Sequence, residues 1–182
     1  MLTAAAIVGV GLLLTGCVPS EPIVTPVETG VGEPIFASDE EALAAAVEAY
    51  VKYLETSDEI GRKGWQSTES LEPLVTDELF AEELAASERL RASGRHQQGS
   101  GEVTNHVLQQ YWDLPPRTAN VVVYVCVDIS SSRIYDSLGL DVTPTDRSDQ
   151  IALEARLVSH PSEPTRLLIS GVLPWTGSGV CS

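Results

Sequence analysis

Val121-Val122-Val123-Tyr124-Val125-Cys126-Val127 is the stretch on which the fold turns. Successive side chains of an extended chain point to opposite faces, so a run without polar residues makes both faces apolar. Such a strand belongs in the middle of a sheet, covered above and below. Its valines, stiff at Cβ, favour a pleated surface over a helix. Working outward, period-two patterns predict strands over residues 102–112, 120–129, 151–159 and 166–173. Between Ser130 and Asp149, Leu138-Gly139 and Thr143-Pro144 mark turns, which predicts a short hairpin or an extended loop.

Upstream of Gly101 the period is helical. Ser38-Asp39-Glu40-Glu41 reads as a capping box, with Ser38 at the cap and Glu41 three residues on. Leu43, Val47, Tyr50 and Leu54 then form one apolar stripe. Thr76 caps a second helix whose buried side is expected to be Leu79, Phe80, Leu84 and Leu90, with Gly94 ending it. Residues 61–75 are expected to be a loop with room for one short helix, limited by Pro73. Helices followed by a meandering antiparallel sheet is an α+β order, with N-terminal helices packed on a curved sheet.

The chain of 182 residues carries a formal charge of −15, all of it after Cys17. A surface that negative repels phosphate backbones and anionic headgroups, which argues against nucleic acid as a partner. Leu2 to Leu14 is an apolar run broken only by Thr3, Gly9 and Gly11, and Leu14-Thr15-Gly16-Cys17 follows. The run is too short for a membrane span and reads as an export signal over residues 1–16. The tetrapeptide resembles the lipobox of bacterial lipoproteins, which implies cleavage before Cys17 and lipid on that cysteine. Leaders of that class usually begin with Lys or Arg, and Met1-Leu2-Thr3 has neither. Either the start codon lies upstream or the amino terminus supplies the charge. Residues 17–37, with Pro19, Pro22, Pro26 and Pro34, read as an extended tether. At about 3 Å per residue it would lift a domain spanning 38–182 up to roughly 60 Å from the bilayer. The implied partner is the membrane, on its extracytoplasmic side.

Residues 124–130 (YVCVDIS), 141–147 (DVTPTDR) and 175–181 (WTGSGVC) resemble segments of uncharacterised small actinobacterial lipoproteins. The element order is similar to the cone fold of nuclear transport factor two and ketosteroid isomerase. That likeness implies a curved sheet wrapping a helix around a pocket.

With Cys17 given to lipid, Cys126 and Cys181 remain, and in an oxidising compartment they are expected to pair. Two free buried thiols are the alternative. His96, His106 and His160 stand at no metal-ligand spacing, so neither a metal nor a cofactor is expected. Leu173-Pro174-Trp175-Thr176-Gly177 matches the sortase motif, but the hydrophobic segment and basic tail of a sorting signal do not follow it. Trp175 is therefore expected to dock the tail or join the core.

No nucleophile elbow, phosphate loop or paired-His motif is present. Tyr50, Trp65, His106 and Asp128 are the residues that could line a pocket. Asp128, on the strand face of Tyr124 and Cys126, is the one candidate general base. Its plainer role is a strand-end carboxylate bonded to loop amides or paired with Arg133 or Arg147. Two functions stand: a non-catalytic, lipid-anchored binding module, which is preferred, or a small isomerase or hydratase using Asp128.

Overall fold

The computed structural model describes residues 33–181, so the leader, Cys17 and most of the tether lie outside the described residues. The described chain is an α+β fold in which helices pack on antiparallel sheet.

Helix α1 spans Asp39–Arg62. Ser38 Oγ accepts the Glu41 N–H at 3.2 Å, as the capping box requires. The Glu41 carboxylate reaches back to the Ala37 N–H at 2.7 Å, one residue before the cap. Asp39, Glu40 and Glu41 place negative charge at the positive end of the helix dipole. A 3-10 helix over Thr68–Leu74 follows, and α2 spans Asp77–Ala92, with Thr76 Oγ1 accepting the Leu79 N–H at 3.4 Å. Gly94, at φ +67°, takes the left-handed conformation that ends the helix.

The strands are β1 (His96–Gln98), β2 (Glu102–Leu114), β3 (Thr118–Asp128), β4 (Arg133–Tyr135), β5 (Gln150–His160) and β6 (Glu163–Pro174). The main sheet runs β2-β3-β5-β6, with every neighbouring pair antiparallel. The valine run is thus interior to the sheet, flanked by β2 and β5, as its two apolar faces require. Val121, Val123, Val125 and Val127 are buried on the helix side with Ala42, Tyr50, Leu157 and Ile169. The register shifts in β2 after Val103 and after Leu108, and such bulges twist an edge strand away from further pairing.

Four features depart from the sequence-based expectations. The buried seam of α1 is Ala42, Ala46, Tyr50 and Tyr53, while Leu43 and Leu54 pack at its margin. Alanines let the helix backbone approach the valine-covered sheet, and the larger residues then fill the flanks. Leu84 of α2 is exposed, because that helix buries Leu79 and Ser87 instead. The packed domain begins before Ser38: Ile35 and Phe36 are buried, with their N–H groups bonded to Asp113 Oδ2 and the Tyr111 hydroxyl, both at 3.0 Å. Finally, β1 and β4 pair with each other in a second, two-stranded sheet, joined to β2 through Gly99. At φ +77° Gly99 passes so close to the Ser131 carbonyl that a Cβ has no room.

Candidate functional site

The structure does not bring the four pocket candidates together. Tyr50 sits on α1 inside the core, its ring 6.0 Å from that of Tyr53. Burial first, and the charge of Asp58 second, push its phenol above the ordinary tyrosine range. Trp65 lies in the turn after α1 with φ 64°, half-buried at the core margin. Its indole N–H is buried and has no hydrogen-bond partner among the described residues. His106 stands exposed on the edge strand β2, opposite Val125.

Asp128 ends β3, in register with Glu102 on one side and Gln150 on the other. Its Oδ1 accepts the Ser130 N–H at 2.8 Å, the geometry of an Asx turn leading out of the strand. Hydrogen bonds from Ser130, side chain first and backbone second, hold its carboxyl below the usual range.

Of the surface grooves among the described residues, three lie against the helices. One of about 510 Å³ runs between the start of α2 and the β5–β6 hairpin, past Thr76, Asp77, His160 and Arg166. A second of about 420 Å³ follows α1 and β6 past Lys52 and Arg166. The third, about 300 Å³, is lined by Trp65, Ser67, Leu84 and Arg91. Tyr50, His106 and Asp128 line none of these three. In the exposed β5–β6 turn the Ser162 hydroxyl lies 3.1 Å from His160 Nδ1, and the Ser162 N–H lies 3.3 Å from the same nitrogen. That nitrogen closes the turn, and no carboxylate is hydrogen-bonded to the ring among the described residues. No group of three or more His, Cys, Asp or Glu is placed to hold a metal ion among them either.

What the structure does assemble is a cover for the second face of the sheet. Cys126 and Cys181 form a disulfide, with Cα atoms 5.1 Å apart. It pins the C-terminal tail over β3, where Val180 is buried and its carbonyl accepts the Asn105 side-chain amide at 3.0 Å. The Trp175 N–H donates to the Ala152 carbonyl at 2.9 Å, and the Trp175 ring stacks on Tyr124. The sortase-like motif is therefore built into the end of β6 and the docked tail. Sequence reasoning missed two buried polar groups, Asp58 and Gln97, which bond to each other at 2.6 Å between α1 and β1. Their positions carry no pattern, and only the fold brings them into contact.

No protein-family model and no curated protein sequence matches the chain. Solved structures do. The intermembrane-space region of the chloroplast protein ARC6 is 10% identical, covering 73% of this chain and 97% of that one, with a TM-score of 0.54. A periplasmic fragment of TraM is 14% identical, covering 76% and 97%, with a TM-score of 0.50. The likeness is one of fold. No helix among the described residues is long and apolar enough to cross a membrane.

Proposed function

We propose that this chain is an extracytoplasmic, non-catalytic binding module, held to a membrane through lipid on Cys17. The observation that carries the binding half is Asp128: its carboxylate closes a turn on Ser130, and Tyr50, Trp65 and His106 lie apart from it. A general base needs a substrate position within hydrogen-bond reach and a second polar group converging on it.

Export and anchoring rest on the leader, on Leu14-Thr15-Gly16-Cys17, and on a disulfide of the kind that persists outside reducing compartments. Both structural neighbours carry names placing them in comparable spaces, one intermembrane and one periplasmic. Two acyl chains would hold the domain stably, at about 0.8 kcal/mol for each buried methylene.

Cross-linking on intact cells that produce the full chain tests the binding role. A discrete protein adduct is expected, and Asp128→Asn should leave both it and the fold unchanged. Absence of any adduct, or turnover of a small substrate that Asp128→Asn abolishes without unfolding the protein, would contradict the proposal.

A further inference from the structure

Leu138 and Leu140 stand 82% and 60% exposed at the tip of the loop between β4 and β5, and Val142 beside them is 37% exposed. Single exposed leucines are ordinary, but neighbouring ones on one loop tip are not. Nor is the loop slack. Asp136 Oδ1 accepts both the Leu138 and the Leu140 N–H at 2.9 Å. The Asp136 N–H donates to the Leu140 carbonyl at 3.0 Å, and the Gly139 N–H to the Asp136 carbonyl at 3.1 Å. Gly139 supplies the positive φ, +79°, that this turn demands. Below it, the Val142 N–H bonds to the Ile134 carbonyl at 2.8 Å, and Tyr135 stacks on His96 of β1. The little β1–β4 sheet is thus the base of a finger whose tip is apolar.

Charge around the tip selects the occupant. Both arginines of the 130–149 segment donate to the chain's own carbonyls, and Arg133 also lies 4.0 Å from the Asp141 carboxylate. Arg147 donates to Ile129 at 2.9 Å and to Ser132 at 3.0 Å, and Arg133 donates to Ser132 at 3.1 Å. Asp141 is partly offset by Arg133, but with Asp136, Asp146 and Asp149 the segment still carries more carboxylates than arginines, so the finger presents leucines in an acidic surround. An anionic bilayer repels that combination, and so does a second copy of a chain carrying −15.

We infer that Leu138 and Leu140 form a preorganised anchor that enters an apolar pocket rimmed by Lys or Arg on a protein partner. This rests on the binding-module proposal and names its contact surface. A loop already held in shape loses little freedom on docking, and burying a leucine is worth a tenfold or larger change in affinity, roughly.

The test places a photoreactive phenylalanine at Leu138 or Leu140 of the full chain in producing cells, with Leu84 and Leu173 as separate positions. Adducts of one protein from 138 and 140 but not from 84 are expected, joined to an apolar peptide neighbouring Lys or Arg. Leu138→Ser and Leu140→Ser should each weaken binding of that purified partner about tenfold or more while leaving the melting temperature unchanged. Adducts from 173 alone would overturn the finger and leave the binding role standing. No protein adduct from any position would overturn both. Adducts to lipid or to a second copy, or serine-sensitive binding to phosphatidylglycerol–phosphatidylcholine vesicles, would overturn the assignment of the partner.

Discussion

The indole of Trp175 lies nearly flat on the ring of Tyr124, centroids 4.4 Å apart and planes 20° apart. The pair sits on the sheet face turned away from the helices, where a two-layer fold would otherwise leave its central strand open to water. The tail that carries Trp175 is held again by Val180 and Cys181, so the chain supplies its own partial third layer. Trp175→Ala removes the stack and uncovers Tyr124. It should lower unfolding free energy by about 2 kcal/mol, from lost apolar burial and the aromatic pair together. Urea denaturation followed by circular dichroism measures this, and an unchanged midpoint would mean the tail contributes nothing to stability.

The disulfide fastens the same layer. Cys126 and Cys181 are 55 residues apart in sequence, and opening a loop of that size costs about 4 kcal/mol in the chain-entropy model. Cys181→Ser should therefore lower the melting temperature by several degrees, with the loss matched by reducing the wild type. A variant as stable as the oxidised parent would refute this account of the tail.

Much of this layering was legible in residues. The valine run placed β3 inside the sheet, Ser38 and Thr76 marked both helix starts, and counting cysteines left Cys126 and Cys181 as a pair. Other features were hidden for identifiable reasons. Hydrophobic periodicity weights leucine and valine over alanine, so it chose Leu43 and Val47 over the close-packed Ala42 and Ala46. Prolines ahead of Ile35 and Phe36, Pro34 the nearest, made buried residues resemble tether. The strands β1 and β4 are three residues each and mostly polar, too short for any period. The pocket expectation joined aromatics and a carboxylate by residue type, whereas the register of β2 and β3 pairs His106 with Val125 on the helix-facing side and leaves Asp128 on the opposite face with Cys126.

Asp58 gives a prediction that sequence could not. Its carboxylate is buried on α1 and accepts the Gln97 side-chain amide at 2.6 Å and the Gly101 N–H at 2.8 Å. It thereby ties α1 to both β1 and the start of β2. Asp58→Ala strands two donors and should cost about 3 kcal/mol, whereas Asp58→Asn, which keeps an acceptor, should cost less. Equal losses in the two variants, measured by chemical denaturation, would show that packing and not hydrogen bonding matters there.

Alkaline pH should find the core through its tyrosines. Burial raises the Tyr50 and Tyr53 phenols, with Asp58 adding to the first and Glu83, hydrogen-bonded to the Tyr53 hydroxyl at 2.5 Å, adding to the second. A folded-state pKa above the unfolded value of about 10 favours the folded state in full below that pH. The stabilisation is lost as pH climbs from about 10 toward the raised values, because the unfolded chain releases those protons first. Stability of the wild type should fall with rising pH in that window, and Tyr50→Phe with Tyr53→Phe should flatten the fall. A slope unaffected by both substitutions would place the alkaline sensitivity elsewhere.

The proposal that a disulfide-closed domain is displayed outside the cytoplasm on a lipidated Cys17 is open to direct test. Intact mass spectrometry of the protein extracted from the membrane fraction of producing cells addresses it in one measurement. A polypeptide beginning at Cys17, carrying a diacylglyceryl group and the mass deficit of one disulfide, is expected. A full-length, unmodified chain in the soluble fraction, with Cys126 and Cys181 both reduced, would contradict it.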